Sequence, residues 1–291
     1  MISFADDTTL IFSDPTWEGA FKSAEAGLLK VKKWLDHHIL TLNHKKSVYI
    51  TFSANKAGLP PPSRKLRIHL PQCISTEGIS SVCQCPTLEN VHKAKYLGVW
   101  IDQHLKWDCH IADMCQRLRF LVYKFYKINK LNNLHITRLV YFAYAQSILQ
   151  YGIGAWGGAL DTHFNRIWVI QKHILRAALG RPRRYPSRDL CKELNVLPLR
   201  KLYIKNLILY INVNRNSFIL RRSNYNLRPN SSNTFETTRT DLNVCRRQIG
   251  FICDKLVNHV PEKFITKKIT NKVVRELEDW LMDFDFQNMF N

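Results

Sequence analysis

Residues 2–12 read Ile-Ser-Phe-Ala-Asp-Asp-Thr-Thr-Leu-Ile-Phe, two short apolar runs separated by a pair of carboxylates. This pattern predicts a β-hairpin with strands at 2–5 and 9–12 and a turn at 6–8. Tight hairpin turns usually contain Asn-Gly or Asp-Gly, and adjacent carboxylates repel each other. One interpretation is a solvated turn without a chemical role. The chemical alternative is a metal site, because two carboxylates at a strand end suit Mg²⁺ and two-metal phosphoryl transfer.

The rest of the first hundred residues alternates helix and strand signals. After Asp14-Pro15, apolar residues recur at the helical period from Ala20 to Leu35. Further strands are predicted at 48–52, 66–70 and 96–101. This mixture indicates an α+β organisation for the first part of the chain.

From His110 onward the pattern is helical. Apolar residues share one face of the first helix, while Arg117 and Lys124 lie about 100° to the side of it, so cations border a buried stripe. Further helices are predicted at about 137–150, 164–179, 188–194 and 199–213, then a polar linker at 222–240 and two or three short helices. We therefore divide the chain into residues 1–107, 108–222 and 223–291.

Charge is concentrated in the middle of the chain. The 291 residues carry a formal net charge of +20, of which 1–107 contribute +4, 108–223 contribute +15 and the remainder +1. Such a field attracts a phosphate backbone or an anionic membrane surface. The 22 residues from Leu139 to Leu160 are uncharged, but they contain glutamines and four glycines, which favours a packed helix over a bilayer span. We therefore expect a nucleic-acid partner and no membrane partner.

Eight cysteines are present without a Cys-x-x-Cys pair. The N-terminus has no signal-peptide pattern, so we expect an intracellular protein, nuclear or cytoplasmic and not secreted, with reduced thiols. A zinc site formed by Cys83, Cys85, Cys109 and His110 is the alternative to buried, unpaired thiols.

The order of several short motifs resembles reverse transcriptases of non-LTR (LINE-type) retrotransposons, in particular the jockey-like group. Phe4-Ala5-Asp6-Asp7 matches the Phe/Tyr-Ala-Asp-Asp box, and residues 43–47 match Asn-x-x-Lys-Ser. Residues 96–111 follow the pattern Tyr-Leu-Gly-Val-x-Ile-Asp-x-x-Leu-x-Trp-x-x-His-Ile. Later matches comprise Tyr151-Gly152, Trp156, Gln171, Leu175-Arg176 and Gly180. Several motifs in order are more specific than any one of them.

The resemblance implies a polymerase palm remnant of α+β class, with a hairpin, helix and strands, followed by an all-helical thumb and connector. It implies that Asp6 is the essential metal ligand and Asp7 its weaker companion, with Mg²⁺ or alternatively Mn²⁺ as the only cofactor. Lys46 would protonate the pyrophosphate leaving group. Leu97 and Gly98 would form the primer grip, and the partners would be an RNA template and a DNA primer or target.

The chain also departs from this family. Polymerases of this kind have fingers and an earlier palm strand with another metal-binding aspartate before the Ala-Asp-Asp box, whereas here Met1 lies three residues before Phe4. We therefore expect a carboxy-terminal fragment that is inactive alone and needs those segments as partners. One alternative is a non-catalytic basic nucleic-acid-binding protein, and another is a defective element product without a cellular role.

A basic loop, residues 181–184, is a further candidate for phosphate binding. Arg181, Arg183 and Arg184 flank Pro182 in this loop. The same residues suit a nuclear address, and a solvated loop is an equally simple interpretation.

Overall fold

The computed structural model describes residues 1–53, 58–61, 63–69, 74–75, 78–79, 85–218 and 243–284. The chain divides into two compact units, Met1–Leu105 and Lys106–Asn291. Strands occur in the first unit and helices dominate the second, so the described fold is α+β. The predicted linker at 222–240, Leu70 and Cys83 lie outside the described residues.

The first unit contains short paired strands and one long helix. Strands β1 and β2, β4 and β5, and β7 and β8 are antiparallel pairs, and β3 pairs with β6 in parallel. Their bounds are Ile2–Phe4 (β1), Asp7–Thr9 (β2), Val48–Tyr49 (β3), Ile74–Ser75 (β4), Gly78–Ile79 (β5), Glu89–Asn90 (β6), Lys93–Tyr96 (β7) and Val99–Asp102 (β8). In the described residues, backbone hydrogen bonds do not join these pairs into a larger sheet.

Helix α1, Trp17–His37, organises a small core in this unit. The side chain of Thr16 caps it by accepting a hydrogen bond from the Gly19 amide at 3.1 Å. The buried core members are Phe21, Leu66, Ile68 and Leu88. Because this core is small, we expect it to contribute modest stability.

The predicted strand at 9–12 is wrong beyond Thr9, and the turn is shorter than expected. Phe4 pairs with Asp7, which leaves a two-residue loop and ends β2 at Thr9. The Phe12 ring instead lies against α1, where a Cβ on Gly27 would come within 2.3 Å of its Cζ atom. Packing on the helix therefore replaces strand pairing for this apolar residue.

Other strand predictions were too long. The predicted strand at 48–52 is reduced to β3, and the described part of 66–70 contains a single bridge, Arg67 to Thr87. The predicted strand at 96–101 is instead the hairpin β7–β8, because Leu97 and Gly98 both have positive φ, 44° and 81°, and reverse the chain. An apolar run therefore contained a turn as well as a strand.

The second unit is helical and is built around α8. Its helices are Asp108–Asn129 (α2), Leu134–Val140 (α3), Ser147–Gln150 (α4), Ile153–Trp156 (α5), Asp161–Leu179 (α6), Ser187–Leu194 (α7), Leu199–Val213 (α8), Asn243–Arg246 (α9), Ile249–Val257 (α10), Glu262–Thr266 (α11) and Asn271–Asp283 (α12), with a 3₁₀ turn at Arg215–Ser217. Helix α8 contacts α4, α5, α6, α10, α11 and α12, while α2 packs along α6. Most apolar residues of α8 are therefore buried, while Tyr210 and Val213 near its C-terminus are exposed.

The uncharged stretch 139–160 is divided among several short helical pieces. A π-helical segment, Tyr141–Gln146, connects α3 to α4, and Gly152, with φ of 63°, precedes α5. Tyr141, Leu149 and Trp156 are buried in the core of the unit. In the described part of the chain, no helix has the length and apolar character needed to cross a bilayer.

Candidate catalytic turn and nucleic-acid interface

The Asp-Asp pair lies at the turn of the β1–β2 hairpin. Ala5 and Asp6 form the two-residue loop, Asp7 begins β2, and both carboxylate residues are exposed. Ala5 has φ of 51°, a conformation that costs free energy for a residue with a Cβ. The hairpin thus directs two adjacent acidic residues into solvent from a strained turn.

The donor chemistry of Asp6 and Asp7 fits a divalent cation, because hard ions prefer carboxylate oxygens. The pair is nevertheless an incomplete ligand set. No group of three or more His, Cys, Asp or Glu residues suited to a metal occurs in the described residues. Neither aspartate forms an ion pair with a described side chain. A stable metal site would therefore need further oxygen ligands from water, substrate or another protein segment.

Lys46 lies in a turn that Asn43 organises. The Asn43 Oδ1 atom accepts a hydrogen bond from the Lys46 amide at 3.2 Å, and its carbonyl accepts one from the Ser47 hydroxyl at 2.9 Å. These contacts explain the asparagine and the serine at this spacing, whereas Lys46 contributes only its backbone amide. The exposed Lys46 side chain remains available to solvent.

Leu97 and Gly98 form the turn of the β7–β8 hairpin. Tyr96 pairs with Val99 across the turn, and the positive φ values are accommodated best at Gly98. The Asp-Asp turn, the Lys46 turn and this hairpin all belong to the first unit. Hydrogen-bonded sheets do not join the three turns in the described residues, so their grouping into one site stays a prediction.

Helix α2 carries a cation-rich exposed face. Arg117 and Lys124 are exposed, as are other cations at positions 119, 127 and 130. The Arg117 guanidinium lies 3.9 Å from the Asp113 carboxylate, a weak partially exposed ion pair. This arrangement leaves a net positive surface along about four helical turns.

Exposed aromatic residues lie among these cations, and we did not predict them from the sequence. Phe120, Tyr123 and Tyr126 are 68%, 65% and 56% exposed. The Lys127 ammonium lies 5.3 Å from the Tyr123 ring centroid, and that of Lys130 lies 5.6 Å from Tyr126. Their spacing of three residues, outside the apolar stripe, was the signal in the sequence. Exposed rings among cations form a surface typical of single-stranded nucleic-acid binding. We call residues 117–130 of this face the α2 surface.

A second group of cations lies near the end of α6. The pKa of His173 is lowered by partial burial and by the positive charges of Arg176, Arg183 and Lys172. This shift indicates that Arg183 contributes to a locally positive potential. Arg184 is exposed in the same loop.

Arg181 has a structural partner. Its guanidinium donates to both carboxylate oxygens of Glu193, at 3.1 Å from Nε and 2.5 Å from Nη2 to Oε1, and it lies over the Tyr185 ring. The pKa of the Glu193 carboxyl is lowered chiefly by this hydrogen bond. The pair connects the basic loop to α7, so phosphate binding by Arg181 would compete with an existing ion pair.

Gln171 connects three elements of the second unit. Its Nε2 donates to the Tyr141 hydroxyl at 2.8 Å and to the Leu197 carbonyl at 3.0 Å, while its Oε1 accepts from the Leu199 amide at 2.9 Å. The Leu199 amide is at the start of α8, where helices have unpaired donors. Gln171 therefore positions α8 against α6 and the π segment, which supports the helical scaffold that carries the α2 surface.

Comparisons with known proteins identify relatives of one kind. The chain is 26% identical over 203 residues to "Probable RNA-directed DNA polymerase from transposon BS" of Drosophila melanogaster, which covers 67% of this chain and 20% of that protein. It is 27% identical over 187 residues to the corresponding X-element protein of the same species, covering 62% and 18%, and 27% identical over 199 residues to that of mobile element jockey, covering 67% and 19%.

The chain thus spans about a fifth of the length of these relatives. No family model and no solved structure matches it. The names of these three relatives agree with the family that the short sequence motifs resemble. The chain is accordingly a relative of the RNA-directed DNA polymerases of jockey-like non-LTR retrotransposons.

Proposed function

We propose that this chain forms the later palm, thumb and connector of an RNA-directed DNA polymerase. The observation that supports the proposal most directly is the hairpin that exposes Asp6 and Asp7 at a strained turn, within a chain related to such polymerases. Two adjacent solvated carboxylates that form no ion pair with a described side chain suit the binding of divalent metal.

In this reaction a primer 3′-hydroxyl attacks the α-phosphorus of a deoxynucleotide. A P–O bond to the primer forms, the bond to the bridging oxygen breaks, and pyrophosphate leaves. Divalent ions, Mg²⁺ or Mn²⁺, neutralise charge on the phosphates when bound. Asp6 and Asp7 would supply carboxylate ligands, with Asp6 essential. Lys46 would donate a proton to the departing pyrophosphate, because negative charge increases there.

Primer positioning is proposed for the turn at Leu97 and Gly98. This two-residue turn would let its backbone groups approach the primer closely, because Gly98 has no side chain. The first unit would thus carry the metal ligands, the proton donor and the primer-positioning turn.

The α2 surface is proposed to bind the template and primer. Its cations would neutralise phosphates, and its exposed rings would stack with unpaired bases. The cluster of Arg176, Arg183 and Lys172 would extend the positive field. Arg181 and Arg184 would join it at the basic loop.

Primer extension tests the catalytic part of the proposal. The full chain would be combined with a separately expressed fragment that provides fingers and the earlier palm aspartate, since metal ligands beyond Asp6 and Asp7 are needed. We expect little synthesis by the chain alone and incorporation in the mixture. Asp6→Asn and Lys46→Ala should each reduce that incorporation at least about a hundredfold, as loss of general-acid catalysis or charge stabilisation does.

Matched controls are available nearby. Lys45→Ala removes the adjacent exposed lysine, and Asp36→Asn removes an exposed carboxylate on α1, so neither should change incorporation by more than about twofold. Equal effects of Lys45→Ala and Lys46→Ala, or synthesis that survives Asp6→Asn, would contradict the proposed roles.

A second candidate function, non-catalytic nucleic-acid binding, is favoured by the α2 surface itself. Fluorescence anisotropy with single-stranded RNA and an RNA–DNA hybrid measures nucleic-acid binding separately from synthesis, and so distinguishes the two candidate functions. Log affinity should fall with log salt by about 0.7 per phosphate contact on single strands, and Arg117→Glu with Lys124→Glu should weaken all sequences alike. Lys33→Glu, on α1, is the charge control. Binding without synthesis in every mixture would leave the second function standing.

A further inference from the structure

A cavity of about 310 Å³ lies in the second unit, and no residue of the α2 surface lines it among the described residues. The loop Gly157–Leu160, which precedes α6, lines part of the cavity. Arg200 and Tyr203 of α8 line one side, and residues 246–256 around α10 line the other. The volume is at the lower end of those found for small-ligand sites.

The cavity wall is strongly cationic. Among the described residues, four basic side chains and the acidic residue Asp161 line it. These cations are Arg200, Arg246, Arg247 and Lys255. Arg200 pairs with Asp161, so that carboxylate offsets one of the charges. Lys255 lies over the Phe251 ring and forms no ion pair with a described side chain, so it adds positive charge that favours an anionic ligand.

The N-terminus of α6 adds to this field. Helix α6 has 19 residues, and its N-cap, Leu160, has no side-chain acceptor for the first-turn amides. Unpaired amides and the helix dipole attract anions at such an end. Leu160 and Asp161 both line the cavity, so this end of the helix faces the basic side chains.

Tyr203 provides an independent indication of a ligand. The residue is 1% exposed, and its hydroxyl has no hydrogen-bond partner in the described structure. The hydroxyl lies 3.5 Å from the position of a Cβ on Gly158, in the loop that lines the cavity. Burial raises the pKa of Tyr203, so the group remains a proton donor near neutral pH. A buried donor without an acceptor is costly, and an anion would satisfy it.

The adjacent glycines make this arrangement sterically feasible. A Cβ on Gly157 would lie 2.2 Å from the Tyr203 ring, and one on Gly158 would lie 2.1 Å from the Arg247 carbonyl oxygen. Neither position can accept a side chain without moving Tyr203 of α8 or the turn between α9 and α10 that contains Arg247. The glycine pair therefore brings the hydroxyl and the basic residues to one loop.

We infer that this cavity binds the phosphate group of a nucleotide unit. Phosphate matches the cations, the helix end and the tyrosine donor. Phe251, Ile252 and Leu256 supply apolar wall on which a sugar or base can pack. The phosphate can come from a free nucleotide or from a bound strand, and the inference does not depend on the polymerase proposal.

Calorimetric titration of the full chain tests the inference, with inorganic phosphate and deoxyadenosine 5′-monophosphate as probes. Lys255→Gln should weaken both at least about tenfold, as expected for loss of a contact to a charged group. Lys272→Gln, an exposed lysine at the start of α12, removes the same charge outside the cavity and should have little effect. No binding of either probe, or equal losses in the two variants, would overturn the inference.

Tyr203→Phe should change two measured quantities in opposite directions, the stability of the ligand-free chain and its affinity for phosphate. It retains the buried ring but removes the unpartnered hydroxyl, so the ligand-free chain should be as stable as the wild type or more stable. Phosphate affinity should nevertheless fall several-fold. Lower stability without ligand, or unchanged phosphate affinity, would show that the hydroxyl does not serve this site.

Oligonucleotides distinguish the source of the phosphate. A strand with a 5′-phosphate that binds more tightly than its 5′-hydroxyl form, with the difference abolished by Lys255→Gln, identifies a strand end. Equal binding of both strands, competed by deoxyadenosine monophosphate, identifies an internal phosphodiester. Tight binding of the monophosphate without competition by either strand identifies a free nucleotide. Each result supports a phosphate site of a different source.

Discussion

Replacement of Gln171 by leucine should destabilise the second unit strongly. Gln171 is 0% exposed, and its amide makes three hydrogen bonds, with the Tyr141 hydroxyl, the Leu197 carbonyl and the Leu199 amide. Leucine has a similar volume but cannot form any of them. The change therefore isolates the polar contacts from packing.

The expected magnitude follows from the three groups left without a partner. Each buried unsatisfied group costs about 1 to 3 kcal/mol, while the added apolar surface returns about 1 to 2 kcal/mol. We expect the free energy of unfolding to fall by about 3 to 5 kcal/mol. For a unit of this size that corresponds to a decrease in Tm of roughly 10 °C.

Urea unfolding of the full chain, followed by far-UV circular dichroism, measures this change. Tyr141→Phe removes one partner alone and should cost about 1 kcal/mol. Gln116→Leu, on the exposed part of α2, is the matched control and should change stability by less than about 0.5 kcal/mol. A cost for Gln171→Leu below about 1 kcal/mol, or equal to that of the control, would refute the reasoning.

Three further predictions concern charge and local stability. The pKa of His173 is lowered by burial and nearby cations, so a bound phosphate backbone should raise this pKa. Binding should therefore strengthen as the pH falls through the pKa of His173. NMR titration of His173 with and without RNA checks this, and an unchanged pKa at saturating RNA would contradict binding at this cluster. Because Arg181 lowers the pKa of Glu193, the stabilisation from this pair is present above the usual glutamate pKa and lost as pH falls through the lowered value. Glu193→Gln should therefore cost under about 1 kcal/mol at neutral pH and nothing in acid, and a pH-independent difference in urea unfolding would contradict this. In the described residues β1 pairs with β2 alone, so amides of Ile2–Phe4 should exchange faster than those of 111–125; equal protection would indicate that another segment or chain covers the strand edge.

Local patterns predicted the helices of the second unit well. The apolar run at Leu199–Val213 coincides with α8. The segments predicted at 164–179 and 188–194 correspond to α6, which begins three residues earlier, and α7, which begins one residue earlier. These agreements have a common cause. Helical periodicity depends on neighbours three and four residues apart, which the sequence displays directly.

The strands were less predictable because their ends depend on distant partners. Phe12 belongs to an apolar run, but it packs on α1 instead of extending β2. The run at 96–101 contains the Leu97–Gly98 turn, and its pairing with 93–96 decides where the strands begin. A period of two residues describes a strand face without specifying its partner.

The amino-acid sequence alone determined the family relationship, the positive charge of the middle segment and the acidic pair in a hairpin, since each depends on residue order or composition. The tertiary structure decided which of those charged side chains form ion pairs within the chain and which are exposed. Arg181 is paired with Glu193, while the α2 surface combines exposed cations with rings. It also placed the Tyr203 hydroxyl at a cationic cavity formed by segments up to about a hundred residues apart. Periodicity is a property of neighbours along the chain, whereas ion pairs, exposure and cavities arise when distant segments pack together.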